Sequence, residues 1–256
     1  MNSKYGDVSV MLEAHIARVE IHRPPHNYFD PPLIRDLADV FLSLDAEDAC
    51  RVLVLASEGK SFCAGANFGA GNEITSGGAS LLYEQAVRLF RSRKPVVAEI
   101  QGAAVGGGLG LALVADFRVV SPEARFSANF VKLGIHPGFG LTYTLPRLIG
   151  VQRANLMFLT GRWIGADVAA AWGLADVLAP PERLREEAMQ LAAGIAEGAP
   201  LAVESTRATL RSGIAEAVRR QTDHEFAEQS RLASTQDHHE GIRAVSERRP
   251  GKFTRA

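Results

Sequence analysis

Two glycine-containing segments carry residue types and spacing from which chemistry can be built. Ser61-Phe62-Cys63-Ala64-Gly65-Ala66-Asn67 follows a Val- and Leu-rich run at residues 51–56. Gln101-Gly102-Ala103-Ala104-Val105-Gly106-Gly107-Gly108-Leu109-Gly110 follows a second apolar run at residues 96–100. Small residues let a ligand approach the backbone closely. A helix beginning near Gly107 would aim free N–H groups and a positive dipole end at that ligand. Two such N–H donors converging on one oxygen would make an oxyanion hole. One such donor is worth about 3 kcal/mol of barrier. Read alone, the Gly106-Gly107-Gly108 triplet is better explained by a tight turn or close packing of helix on strand.

Competing glycine and metal patterns fail on spacing. Counted from Gly106, the last glycine of a dinucleotide fingerprint falls on Leu111. Gly59-Lys60-Ser61 resembles the end of a phosphate loop, but the earlier glycine position holds Val54. No serine has glycines two before and two after it, as a nucleophile elbow requires. His238-His239-Glu240 lacks metalloprotease spacing, and no His/Cys cluster has zinc spacing, so no metal is expected. Cys50 and Cys63 make no disulfide framework and read as reduced, small hydrophobes.

The elements that must position these segments alternate between strand and helix patterns. Strand-like runs lie at residues 15–21, 51–56, 96–100 and 117–121. Residues 31–44 place Leu33, Leu37, Val40, Phe41 and Leu44 on one helical face. Residues 79–92 do the same with Leu82, Ala86, Leu89 and Phe90 before Pro95. This alternation predicts an α/β fold. From about residue 181 helical patterns succeed one another, at 182–197, 200–212, 214–232 and about 239–247. The expected organisation is a core over 1–195 and a C-terminal helical region over 196–256. Residues 68–80, rich in Gly, Asn and Ser, read as a loop.

With 256 residues and 46% hydrophobic content, the chain can bury one substantial core. A formal net charge of -1 gives no reason to expect nucleic acid as a partner. No secretory signal pattern and no apolar run of membrane-spanning length is visible, so a cytoplasmic protein is expected.

Taken in order, further motifs accompany the glycine segments. They are Arg23-Pro24 with Asn27, Lys94-Pro95-Val96-Val97-Ala98, Asp116, and Phe126 with Leu133-Gly134-Ile135. Pro146-Arg147-Leu148-Ile149-Gly150, Leu159-Thr160-Gly161-Arg162, Ala166, Ala169 and Gly173-Leu174 follow. Glu240-Gly241 and Glu247-Arg248-Arg249-Pro250 close the series. The whole pattern resembles the crotonase superfamily, the enoyl-CoA hydratase/isomerase family. That resemblance implies a spiral of repeated ββα units with a C-terminal helical region that packs homotrimers or dimers of trimers. It implies an acyl-CoA ligand, with coenzyme A as part of the substrate and no other cofactor. Ala66 and Gly107 would supply the oxyanion-hole N–H groups, flanked by Asn67 and Gly106. Coenzyme A would lie near Pro25, His26 and Ala64. Lys252, Arg248 or Arg249 could meet its phosphates, or be solvated charges at the terminus.

Against the same family pattern, two expected glutamates are replaced. The position three residues after the middle glycine is Gly110, and the position four before Gly134 is Phe130. Neither side chain can transfer a proton, which argues against ordinary hydration. Candidate substitutes are His136, Tyr83 and Glu84, each also explicable as a turn or helix-surface residue. Glu73 reads as a loop residue facing water, Asn67 as a loop-orienting replacement for the usual aspartate, and Phe130 as part of an apolar acyl pocket. The expected activity is acyl-CoA processing of lyase or isomerase type through an enolate or oxyanion. Decarboxylation, thioester hydrolysis and non-catalytic acyl-CoA binding remain alternatives.

Overall fold

The computed structural model describes residues 2–67 and 78–256. Glu73 and the rest of the Gly-rich stretch before residue 78 lie outside the described residues. Among the described residues the chain forms two sheets. The larger begins as an antiparallel meander of β1 (Asn2–Tyr5), β2 (Val8–Glu13) and β3 (Ile16–Ile21). It continues in parallel through β4 (Val52–Ser57), β6 (Val96–Ile100), β8 (Phe117–Val120) and β11 (Val177–Leu178). The smaller sheet runs β10-β9-β7-β5, from Trp163–Gly165, Arg125–Ser127, Ala103–Val105 and Ser61–Cys63.

The chain visits the two sheets alternately. β4 leads to β5 and then α2 (Gly78–Phe90); β6 leads to β7 and then α3 (Gly107–Ala112). β8 leads to β9 and, through a 3-10 turn at Asn129–Leu133, to α4 (Leu141–Ile149) and α5 (Val151–Thr160). Each turn of this ββα spiral therefore brings the end of a short strand and the start of a helix to one side of the molecule. α6 (Ala166–Trp172) follows β10, and α7 (Leu184–Ala196), α8 (Pro200–Leu210), α9 (Ile214–Ala233) and α10 (Gln236–Ser246) complete the chain.

Local chemistry explains the elements that matter for the site. β4 is buried at every position, as a parallel strand covered on both faces must be. α1 (Pro31–Asp45) starts with Pro at its first turn, and Asp30 Oδ1 accepts from Leu33 N at 2.9 Å as its N-cap. Its apolar stripe, Leu33, Leu37, Val40, Phe41 and Leu44, is the buried face. On the opposite side of the large sheet, Leu184, Ala188, Ala192 and Ala196 of α7 cover Val52, Val54, Val97 and Val119. Asp116 ties α8 to the sheet: it accepts from Val96 N at 2.8 Å, Arg207 Nε at 2.8 Å and Arg211 Nη1 at 3.0 Å. None of the described helices is long and apolar enough to cross a membrane.

Candidate active site

β5 ends in Ala64-Gly65-Ala66, which is pinned to the segment before α1. Ala64 N donates to His26 O at 2.9 Å, and Phe29 N donates to Gly65 O at 3.0 Å. β7 ends at Gly106, whose N–H donates to Ser127 O at 2.8 Å and whose φ of 53° turns the chain into α3. The two turns are in close apposition. Gly65 has φ +81°, and a Cβ on it would stand 2.9 Å from Val105 O and 3.6 Å from Gly107 N. A Cβ on Gly108 would run into the Cys63 carbonyl. Only glycines permit this approach. The N–H groups of Ala66 and Gly107 have no hydrogen-bond partner among the described residues.

These turns wall a cavity of about 590 Å³. Of the residues expected in the site, His26, Ala64, Ala66, Asn67, Tyr83, Gly106, Gly107 and Phe130 line it. Pro25, Glu84, His136 and Lys252 are not among its lining residues. Pro25 is exposed, and its carbonyl accepts from Lys60 N and Ser61 N, both at 3.2 Å. Glu84 is exposed and borders a separate cleft of about 50 Å³ with Arg219 and Asp223. The His136 ring is engaged locally: Nδ1 lies 2.8 Å from Pro137 O, and the ring meets that of His224 edge-on at 5.7 Å. Lys252 N donates to Glu240 Oε1 at 2.9 Å, while its side chain is exposed beyond α10. α10 itself contributes Ile242, Val245 and Ser246 to the cavity.

The surroundings of Gly110 and Phe130 are apolar in space as well as in sequence. A Cβ on Gly110 would stand 2.7 Å from both Cβ and Cδ1 of Phe139. Phe139 is 1% exposed, has φ 64°, and packs its ring 5.6 Å from that of Phe29. A bulky residue in the left-handed region is costly and persists only where its surroundings fix it. Phe130 reaches the other turn: its Cζ would be 3.5 Å from a Cβ on Gly106. Phe29, Leu82, Leu133 and Ile135 extend the apolar lining.

A buried polar group interrupts that lining. Tyr83 Oη donates to Gln229 Oε1 at 2.7 Å, and Gln229 Nε2 donates to His136 O at 2.9 Å. Burial, with Glu225 nearby, pushes the Tyr83 phenol well above its ordinary value and keeps it protonated. Glu225, one turn earlier on α9, accepts from Gly140 N at 2.7 Å, Thr142 N at 3.1 Å and Thr142 Oγ1 at 2.5 Å. Burial nevertheless raises its carboxyl to about 7. Burial likewise pushes the Cys63 thiol up to about 12 and the Cys50 thiol up to about 11, so neither is a ready nucleophile.

Sequence reasoning missed Phe29, Phe139, Gln229 and Glu225. Phe139 had a visible signal, a bulky residue between Gly138 and Gly140. Glu225 and Gln229 had one too: they share the α9 face with buried Val218 and Thr222, and polar residues on a buried stripe must have partners.

The ββα spiral, with two apposed glycine turns at an apolar cavity, is the crotonase-like class of fold. The chain matches the family described as Enoyl-CoA hydratase/isomerase over residues 12–256 and belongs to it, within the crotonase superfamily. It is 32% identical over 255 residues to a crotonyl-CoA hydratase of Syntrophomonas wolfei, covering 97% of this chain and 98% of that protein. It is also 32% identical over 251 residues to an (E)-benzylidenesuccinyl-CoA hydratase of Thauera aromatica, covering 96% and 98%. The solved enoyl-CoA hydratase of Mycobacterium avium subsp. paratuberculosis superposes with a TM-score of 0.86 at 27% identity, over 98% of this chain and 100% of that one.

Proposed function

We propose that this protein processes an acyl-CoA thioester whose carbonyl oxygen sits between the N–H groups of Ala66 and Gly107. The observation that carries the reading is the pair of N–H groups, without a partner among the described residues, on two apposed glycine turns at the wall of an apolar cavity. Donors held in place by the fold need no reorganisation as negative charge develops on the oxygen, and they stabilise an enolate or tetrahedral oxyanion. The coenzyme A end is assigned to the side of the cavity lined by His26 and Ala64. Phe130, Phe139 and Leu82 enclose the acyl end.

Ordinary hydration of an enoyl thioester is expected to be slow here. The expected carboxylate positions are Gly110, closed off by Phe139, and Phe130. Of the three candidates for proton transfer only Tyr83 lines the cavity, and its hydroxyl proton is held by Gln229 Oε1, so none of Tyr83, His136 and Glu84 replaces the missing carboxylates. Reactions that generate the anion without a strong base, such as loss of carbon dioxide from a carboxylated acyl group, suit this wall better than water addition. The same apolar wall favours a second reading, an acyl-CoA-binding protein without turnover.

Mass-spectrometric product analysis separates the readings. The purified protein is incubated with saturated, α,β-enoyl, β,γ-enoyl, malonyl-type and aromatic CoA thioesters, with binding followed in the same samples. Conversion of one class supports the enzyme, and binding throughout without product supports the carrier. Fast hydration of α,β-enoyl thioesters contradicts the role given to Phe139 and Phe130.

A further inference from the structure

A second group of polar and titratable side chains lies away from the cavity, on the large sheet. Side chains alternate along β3. Ala17, Val19 and Ile21 join the core on the α1 side, while Ile16 joins the cluster under α7. Arg18, Glu20 and His22 continue the face begun by Ile16. Lys4, Ser9 and Glu20 stand opposite one another across β1, β2 and β3, so they share that face. His22 follows Glu20 by two residues and bridges two neighbours. Its Nε2 lies 2.7 Å from Ser9 Oγ, and its Nδ1 lies 3.0 Å from Oε2 of Glu58, the residue after β4. None of Ser9, His22 and Glu58 lines the cavity described above.

The acceptors fix the protons. A carboxylate can only accept, so His22 carries its proton on Nδ1 and donates it to Glu58. Nε2 then presents its lone pair and accepts from the Ser9 hydroxyl. The chain hydroxyl–imidazole–carboxylate is the arrangement that activates a serine: the nucleophile is bonded to a base, and a third group orients that base. Glu20 adds a second carboxylate 4.0 Å from Nε2, itself held by Arg18 Nη1 at 2.6 Å. Negative charge beside the ring stabilises the imidazolium that forms when it takes the serine proton. Ser9 is half-buried, and Lys4 and Glu58 are exposed, so Oγ is reachable from solvent.

We infer that Ser9, His22 and Glu58 form a second, nucleophilic site that takes a short acyl group from an activated ester or thioester. Ser9 Oγ bonds to the acyl carbon as its proton passes to His22 Nε2, and the carbonyl electron pair moves onto oxygen. The pair returns as the bond to the leaving oxygen or sulfur breaks; the leaving group departs as its anion or with the proton from His22. β2 is paired on both edges, by β1 and β3, so its backbone serves the sheet. The charge available to the developing oxyanion is the Lys4 ammonium, a weaker arrangement than fixed N–H donors. Deacylation is therefore slow, and the acyl-serine accumulates. The site is independent of the acyl-CoA reading above.

The test is a nitrophenolate burst with para-nitrophenyl acetate, followed by peptide mass spectrometry of the acetylated protein. The wild-type protein is expected to release about one nitrophenolate per chain in the burst and to carry the acetyl group on Ser9. Ser9→Ala abolishes the burst. His22→Ala slows acetylation of Ser9 by roughly a hundredfold, and added imidazole restores part of it, an effect that a merely structural histidine would not show. Glu58 is exposed, so Glu58→Gln, which leaves the fold intact, is the variant that serves if His22→Ala does not fold; it slows the burst at least roughly tenfold with an unchanged thermal melt. Acetyl groups on lysines or other serines with Ser9 unmodified overturn the inference. A Ser9 acetylation rate that survives both His22→Ala and Glu58→Gln overturns it as well.

Discussion

Gly110 and Phe139 form a complementary pair, and the consequence is measurable. A side chain at 110 must enter space held by a ring that is itself fixed between Phe29 and the Gly138–Gly140 turn. Gly110→Glu alone is therefore expected to destabilise the fold, by about 1–3 kcal/mol for overpacking and more for an unpaired buried carboxylate. It should produce no hydratase. Adding Phe139→Ala should recover part of the lost stability, so that thermal melts show the double variant less damaged than the summed singles. Additive effects would mean that the two residues do not share that space. Gly110 and Phe130, where the family resemblance implies carboxylates, were picked out by motif spacing. That a phenylalanine from another turn closes the gap was not, because Gly110 and Phe139 are brought together only when α3 and the segment before α4 pack.

At the scale of elements, α9 governs the cavity's far wall through two residues one turn apart. Glu225 holds the start of α4, and Gln229 holds His136 and Tyr83. Removing the first acceptor leaves two backbone N–H groups and a hydroxyl without it, so Glu225→Ala should cost about 2–4 kcal/mol in urea unfolding. A loss below about 0.5 kcal/mol would contradict the clamp. The pH dependence has a definite sign. Burial raises this carboxyl from 4.5 to about 7, so the folded state binds more protons than the unfolded one within that window. Its contribution to stability therefore falls as pH rises from 4.5 to about 7 and is level above. Glu225→Gln, which cannot ionise, should flatten that stretch of a stability-versus-pH curve; an unchanged slope would place the titration elsewhere. The α1 face and the buried strand β4 were legible because their apolar periods, 3.6 and continuous, are long. β1 and β2 were not: the period-two signal of Val8 and Val10 is short and is interrupted at Met11-Leu12. α4 was hidden by Pro146, a residue that ordinarily argues against a helix interior.

At the scale of the whole molecule, the spiral and the C-terminal helices are joined by charge as well as by apolar packing. Asp116 faces Arg207 and Arg211 from α8 and its C-terminal end while also accepting from β6. Asp116→Ala leaves two largely buried guanidinium groups uncompensated and should cost about 3–5 kcal/mol, read as a lower urea midpoint with an unchanged slope. A midpoint within error of wild type would show that α8 docks without that pair. Motif order across nearly the whole chain made the α/β spiral legible, since each glycine turn marks one strand-to-helix passage. The cavity's chemistry was less so: which side chains face inward depends on how successive turns of the spiral stack. His136, adjacent in sequence to the wall residue Ile135, instead meets Pro137 and His224.

The central claim is that two backbone N–H groups hold a thioester carbonyl. Calorimetric comparison of an acyl-CoA thioester with its thioether analogue, in which a methylene replaces the carbonyl, tests it most directly. The account predicts that the thioester binds at least roughly tenfold tighter, because only it offers an oxygen to Ala66 and Gly107. Equal affinity for the two would contradict it.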